Sequence, residues 1–306
     1  MYDIIIIGAG PAGLTAAIYA RRASKKVLVF EALSYGGQII NTLDIENYPV
    51  EAHISGFDFA TKIYNQAIDL GAKILFEKVI QIKNNDNLKE IITNKNSYKC
   101  KAIIIATGSE NRKLGLSNEN DLIGKGVSYC ATCDGAFYKN KIVAVVGGGN
   151  TALEDALYLT DIAKEVYLIH RRDEFRGEES TISLLNEKEN IKFIYNSNVT
   201  RLNATDKLDS IEITNNDGNI QTIDVDGLFI AIGRIPENEN FRQLINLDSN
   251  GYIIADEDCH TNVDGIFVAG DNRTKMVRQL VTATSDGAIA ATEAVKYINN
   301  RSDKNV

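Results

Sequence analysis

Gly8-Ala9-Gly10-Pro11-Ala12-Gly13 is the stretch on which the reading of this chain turns. It follows an apolar run over residues 3–7, with four consecutive isoleucines, and opens a segment over 14–22 whose spacing predicts an amphipathic helix. A second apolar strand is predicted over 27–30 and ends on Glu31. The same passage then recurs. Residues 141–146 form an apolar run ending in Gly147-Gly148-Gly149-Asn150-Thr151-Ala152, a helix runs toward Thr160, and a strand over 165–169 ends on His170. From the first glycine to the polar residue at the strand end is 23 positions in both copies, 8 to 31 and 147 to 170. Self-similarity of this kind sets the architecture before any finer reading.

The rest of each copy matches too. Short alternating strands follow, with turn signals at Asn84-Asn85-Asp86-Asn87 and Asn215-Asn216-Asp217-Gly218. Each stretch closes on an apolar strand and a glycine, residues 102–106 before Thr107-Gly108 and residues 228–232 before Gly233. A third piece, a strand over 265–269 followed by Gly270-Asp271 and a helix over about 281–297, has no sheet of its own and is expected to return to the first domain. The second copy is then an insertion, and the expected division is 1–113, 114–239 and 240–306. The two crossings, near 110–115 and 236–241, form a natural hinge.

Composition narrows the function. The 306 residues suffice for two domains of ordinary size. Basic residues number 33 against 41 acidic, a net charge of −8 with no basic run, which argues against nucleic acid as the main partner. No stretch approaches the roughly 20 apolar residues of a membrane span, so no membrane is expected as a partner. The start, Met1-Tyr2-Asp3-Ile4, lacks a basic segment and runs into a strand, so no signal peptide is expected. Three prolines and four cysteines exclude a collagen-like chain and a disulfide scaffold. The expected location is the cytoplasm, where paired cysteines are more often redox-active or metal-binding than structural.

A glycine loop between a strand and a helix lets the backbone approach a pyrophosphate and aims the free N–H groups of the helix at it. Gly8, Gly10, Pro11, Ala12 and Gly13 are placed for this, with Glu31 accepting from ribose hydroxyls. In the second loop, Gly147, Gly149, Asn150 and Thr151 take the same part, closing on Ala152. There the acidic position holds His170, followed by Arg171, Arg172 and Arg176, a cationic cluster that attracts a 2′-phosphate. Two charge-assisted contacts at roughly 1.5–3 kcal/mol each favour NADPH over NADH by about 10²- to 10⁴-fold. An acidic strand end suits the adenosine ribose of FAD, and one flavin with one nicotinamide makes a hydride relay. The fold class is therefore α/β, with two Rossmann-like dinucleotide-binding domains, each a parallel sheet plus a β-meander.

Cys130-Ala131-Thr132-Cys133 has the spacing of a dithiol/disulfide couple, and Asp134 follows it. A structural zinc site wants four ligands, and Cys100 and Cys259-His260 supply no second pair, so no metal is expected. Cys100 and Cys259 read as ordinary small residues. A charged Asp134 would raise a neighbouring thiol pKa, so two roles stay open for it, a proton carrier for the dithiol or a turn residue with a local hydrogen bond.

Together these motifs resemble the low-molecular-weight bacterial thioredoxin reductases, along essentially the whole chain. The resemblance rests on residues 8–13, Gly36-Gly37-Gln38, Glu46-Asn47-Tyr48-Pro49, Ala106-Thr107-Gly108, residues 130–135, 147–152 and 170–176, and Gly270-Asp271 with Arg278-Gln279. It implies that Cys133 faces the flavin, that Cys130 attacks the disulfide of thioredoxin and that Asp134 is the acid/base. It implies FAD contacts at Gly36, Gly37, Gln38, Asn47, Ala106, Thr107, Gly108, Gly270, Asp271, Arg278, Gln279 and Leu280. NADPH contacts are implied at the second glycine loop, the cationic cluster, Ile232 and Gly233, and the implied assembly is a homodimer. Relatives of the glutathione-reductase type carry their redox pair early in the FAD domain, where residues 35–40 contain no cysteine. Two rivals remain beside thioredoxin reduction, a flavin reductase of the same fold using ferredoxin or oxygen, and an NADPH-sensing binding protein without flavin.

Overall fold

The computed structural model describes all residues except 43, 52, 86, 87 and 303–306, so half of the expected turn at Asn84-Asn85-Asp86-Asn87 lies outside the described residues. The chain forms two compact units, Met1–Glu110 with Ile235–Val306, and Asn111–Arg234. The divisions fall after residues 110 and 234, whereas the sequence reading placed them after 113 and 239. The reason lies in the linkers, which are themselves short strands, β7 (Ser109–Asn111) and β16 (Arg234–Pro236), paired with each other.

In the first unit β1 (Tyr2–Ile7) runs parallel to β2 (Val27–Glu31) on one side and β6 (Ser97–Ile105) on the other. Its isoleucines are buried on both faces, as a central parallel strand requires, and their branched chains suit the pleat. Side chains alternate between faces along a strand, and the two sets meet different partners. Ile4 and Ile6 pack with Val27, Val29 and the helical layer, while Ile5 and Ile7 pack with Leu28, Phe30 and the meander. Each such burial is worth about 1.5–3 kcal/mol. The meander is β4 (Val79–Asn85) and β5 (Leu88–Thr93), antiparallel and continued by the first half of β6. The second half of β6 pairs in parallel with β17 (Ile266–Val268), so the third piece does rejoin the first sheet.

Helix α1 (Pro11–Arg22) joins β1 to β2, and α6 (Leu280–Ser302) packs beside it. Gly287 permits this approach, because a Cβ there would collide with the carbonyl oxygen of Ala12. The sequence reading passed over α2 (Gly56–Asp69) and the edge strand β3 (Lys73–Phe76). A start signal for α2 was present in Ser55, whose hydroxyl accepts the N–H of Asp58 at 3.0 Å.

The second unit repeats the plan. Strands β8 (Val127–Ser128), β9 (Ile142–Val146), β10 (Glu165–Ile169), β11 (Ile191–Ile194) and β15 (Gly227–Ile230) form a parallel sheet in the order β11-β10-β9-β15-β8. Val143 and Val145 face α4 (Asn150–Thr160) and α5 (Glu179–Asn186). Ala144 and Val146 face the separate meander of β12 (Ser197–Ala204), β13 (Leu208–Asn215) and β14 (Ile220–Asp224). A four-residue helix, α3 (Ala131–Asp134), follows β8.

A buried ion cluster fastens the segment between β17 and α6. Asp286 on α6 receives Arg273 Nε at 2.9 Å and Nη2 at 3.0 Å, Lys275 Nζ at 2.8 Å and the N–H of Gly270 at 2.9 Å. Burial alone would raise the Asp286 carboxyl, but the hydrogen bonds from Arg273 and Lys275 hold it below its ordinary value. Its contribution is therefore complete above an unfolded-state pKa of about 3.9 and is lost as the pH falls through the lower folded value. Asp286→Asn leaves two buried cations unpaired and should cost about 3–5 kcal/mol. In thermal unfolding of the holoprotein this should lower Tm by roughly 6–20 °C.

Candidate active site

Cys130 and Cys133 form a disulfide with their Cα atoms 5.3 Å apart. Cys130 caps α3, and the pair spans its first turn. Two groups hold this turn. Ser128, buried at the end of β8, accepts the Cys130 N–H at 3.1 Å and donates to Asp134 Oδ2 at 2.6 Å. Glu119, itself buried, receives the N–H groups of Leu114, Gly115 and Leu116 and the hydroxyl of Tyr129, so the residue just before Cys130 is tethered. Burial pushes the Asp134 carboxyl up, with the Ser128 hydrogen bond opposing it. A carboxyl that keeps its proton above the usual range suits the proton-carrier reading of Asp134. The other two thiols, Cys100 and Cys259, are fully buried and pushed up by burial to about 12, so they stay protonated and inert.

In the second unit, Gly147 ends β9 with its N–H on the carbonyl of Ile169. A Cβ on Gly147 would strike the carbonyl oxygen of Ala231, whereas Gly149 has open space where a Cβ would point. Gly149 caps α4 without any side-chain hydrogen bond, so the first N–H groups of the helix are left for a ligand. The segment after β10 folds back over this loop. Arg176 donates its N–H to the carbonyl of Gly148 at 2.7 Å, and Glu178 donates its N–H to Asn150 Oδ1 at 2.8 Å. Arg171, Arg172 and Arg176 are thereby exposed beside the open loop. Ile232 and Gly233 follow the neighbouring strand β15, and Gly233 accepts the N–H of Arg112.

His170 is placed differently from the three arginines. Its ring is buried against Gly148 and Phe175, and its Nε2 meets no partner among the described residues. Burial, then the charges of Arg176, Arg172 and Arg171, push its pKa down. Both effects favour the neutral imidazole, which supports the loop from beneath, and the exposed positive charge of this edge belongs to the three arginines.

In the first unit the corresponding loop is tighter still. A Cβ on Gly8 would meet the carbonyl oxygen of Ala106, and one on Gly13 the carbonyl oxygen of Gly8. Gly10 caps α1 without a side chain, and Pro11 occupies the first helical position. Glu31 accepts the N–H of Ala9 at 2.9 Å and that of Leu33 at 3.0 Å, one on each oxygen, which orients its carboxylate at the strand end. The Gly36 N–H bonds the carbonyl of Ala9, and Gly37 lies against Gly10.

Residues 2–287 match the family described as pyridine nucleotide-disulphide oxidoreductase. The chain belongs to that family. It is 43% identical over 300 residues to a thioredoxin reductase of Listeria innocua, spanning 97% of this chain and 94% of that one. It is 40% identical over 312 residues to a thioredoxin reductase of Peptoclostridium acidaminophilum, covering 97% of each. The crystal structure of thioredoxin reductase from Streptococcus pyogenes superposes with a TM-score of 0.93 at 40% identity, covering 98% of this chain and 99% of that one. The fold of this oxidoreductase is accordingly α/β with two dinucleotide-binding domains.

Other expected flavin-side residues of the oxidoreductase gather at the strand ends of the first unit. Ala106 donates its N–H to Ile7, and Gly270 follows β17 with the N–H of Ala269 on Ile105. Asn47 Nδ2 donates to Gln279 Oε1 at 3.2 Å, joining two residues 232 positions apart. Arg278 lies over the ring of Tyr252, 4.2 Å from its centroid, and Leu280 packs against Ile45, Ile54 and Phe59. Gln38 is exposed on the turn after Gly37, and Gly108 and Asp271 follow β6 and β17.

The sequence reading missed the group that ties these ends together. Asn272, wholly buried, donates Nδ2 to Thr107 Oγ1 at 3.1 Å and to the carbonyl of Ile105. Asn238, also wholly buried, donates Nδ2 to the carbonyl of Asn272 at 2.7 Å. Isolated asparagines in loops carry no sequence signal of such a role; only the fold brings them together.

The state of His170 is open to direct measurement. Its imidazole should be mostly neutral at pH 6.5, where an ordinary histidine is half protonated. A pH titration of its ring resonances by NMR should show a midpoint below 6.5, and removing the arginine charges should move that midpoint up.

Proposed function

We propose that the chain is an NADPH-dependent thioredoxin-disulfide reductase, with FAD held by the first unit and NADPH by the second. The observation that carries the reading is the Cys130–Cys133 disulfide beside a half-buried Asp134, in the same unit as a glycine loop edged by Arg171, Arg172 and Arg176. Relatives named thioredoxin reductase, matched along almost their whole length, support it. A flavin reductase passing electrons to ferredoxin or oxygen has no use for the cysteine pair. The cytoplasmic location and the homodimer are part of the proposal, carried by likeness to bacterial thioredoxin reductases. Among the described residues, no helix is long and apolar enough to cross a membrane.

The glycine loops fit the cofactors, since both helix N-termini are uncapped by side chains and space is open at Gly149. Gly8, Gly10, Ala12, Gly13 and Glu31 would hold the FAD pyrophosphate and ribose, and Gly147, Gly149, Asn150 and Thr151 would hold that of NADPH. When bound, FAD supplies a carrier that accepts hydride from NADPH and delivers an electron pair to a disulfide. Two electrons break the Cys130–Cys133 bond and leave two thiolates, one of which takes the proton of Asp134. The Cys130 thiolate then attacks a sulfur of the thioredoxin disulfide and displaces the other sulfur, which accepts a proton. Cys133, the sulfur that took the proton of Asp134, attacks Cys130, reforms the internal disulfide and passes its proton to the departing second thioredoxin sulfur. Asp134 returns to the protonated state by taking up a proton from solvent, so each turnover consumes one hydride and one proton.

NADPH oxidation by the purified flavoprotein should be fast with oxidised thioredoxin and slow without it. Cys133→Ser should abolish thioredoxin reduction while NADPH still bleaches the flavin; thioredoxin reduction by that variant would overturn the assignment. Arg171→Ala with Arg172→Ala should weaken NADPH by about 10²-fold or more and leave NADH nearly unchanged, as steady-state KM values would report. An equal loss for both nucleotides would show that the arginines do not read the 2′-phosphate.

A further inference from the structure

Ser128 sits where the strand β8 hands the chain to the redox turn, opposite Phe229 on β15 and 4% exposed. Its hydroxyl has one proton to give. The Cys130 N–H already occupies one lone pair of Oγ, at 3.1 Å. The nearest acceptors are Asp134 Oδ2 at 2.6 Å and the Cys130 carbonyl at 3.4 Å, so the proton points to the carboxylate. An oxygen that receives a short hydrogen bond is the poorer place for a second proton. The other oxygen of the carboxyl, Oδ1, is then the one that carries and releases it.

We propose that Ser128 is a positioning residue for the reductase reaction, binding the Cys130 backbone and Asp134 Oδ2 at once so that the transferable proton rides on Asp134 Oδ1. The inference rests on the proposed thioredoxin reductase reading for its consequence, though not for its geometry. Because one hydroxyl grips both partners, any shift of Cys130 when its disulfide opens is passed to the carboxyl that must protonate the new thiolate. The hydroxyl also works against burial, which raises the carboxyl, so its removal should raise Asp134 further. Two other titratable groups bear on the measurement. Tyr138, on the next turn, is pushed up to about 12 by burial and then by Asp134 and Asp226. Helix α4, packed against α3, carries Glu154 and Asp155, the latter pushed up to about 7 by burial and by Glu154. Asp155 would mimic Asp134 in an unassigned profile, so the two must be separated.

The test uses the full-length flavoprotein labelled with 13C at aspartate carboxyls, with D134N and D155N assigning the two resonances. In S128A the Asp134 midpoint should move to higher pH and the Asp155 midpoint should stay. In the same variant kcat with thioredoxin should fall about ten-fold or more, the pH profile should shift the same way, and KM for thioredoxin should hold. Flavin bleaching by NADPH without thioredoxin should remain fast. S128T, which keeps the hydroxyl, should restore both midpoint and kcat, and S128V, equal in shape to it, should not. That second pair decides the matter if S128A does not fold. An unmoved Asp134 midpoint with unchanged kcat, or S128T no different from S128V, overturns the proposal. A wild-type protein that fails to reduce thioredoxin while the Asp134 midpoint still moves in S128A would overturn the reductase reading and leave the Ser128 link standing.

Discussion

In each unit the turn from the first strand of the repeat into its helix has no room for a side chain at its first glycine. The carbonyl oxygens of Ala106 and Ala231 occupy the places where Cβ atoms on Gly8 and Gly147 would stand. Those carbonyls belong to the segments that follow β6 and β15, the strands beside the turn in each sheet. The glycine thus does two things at once. It lets a neighbouring parallel strand run its full length to the sheet edge, and it starts the helix at that edge with its N–H groups uncovered. A larger residue would push one element back, and the charge of the helix terminus would no longer meet the strand ends where the other site residues collect.

That constraint leaves the first unit with a difficulty that the second lacks. Its sheet is completed by β17, which arrives only after the inserted unit, and α6 must then be laid over α1. Asp286 and Gly287 solve the two halves of the problem from adjacent positions. Gly287 permits close contact with α1, while Asp286 draws in Arg273, Lys275 and the N–H of Gly270. A buried ion cluster of this kind adds little net stability over apolar packing, but it tolerates no other placement of its members. The loop that carries Asp271, Asn272 and Arg278 is therefore set by charge as well as by hydrophobic burial.

How much of this was legible follows from the range of the forces involved. Glycine loops, apolar strands and a Cys-x-x-Cys pair act over a few residues, and the sequence displays them directly. The duplicated plan was equally plain, since each copy repeats the same local constraints at the same spacing. The burial of the His170 ring against Gly148 depends on how the following segment folds back, which its position in the repeat does not display. Arg273, Lys275 and Asp286 look like surface charges in the sequence, and Asn238 and Asn272 like loop residues. Their roles come from partners 11 to 34 positions away or more, which no local pattern encodes.

The redox turn resolves an apparent conflict in the sequence. A carboxylate next to a cysteine pair opposes thiolate formation if it is charged. Partial burial eases that, because it raises the Asp134 carboxyl above its usual range and so favours the protonated form. In that form it carries no charge to oppose a thiolate, and it becomes charged on giving its proton to the sulfur that would otherwise have carried the charge. The proton transfer itself then moves one negative charge from sulfur to the carboxylate and adds none. Half-burying an acid beside the pair makes Asp134 compatible with thiol chemistry, and Ser128 supplies one of the hydrogen bonds that water would otherwise give.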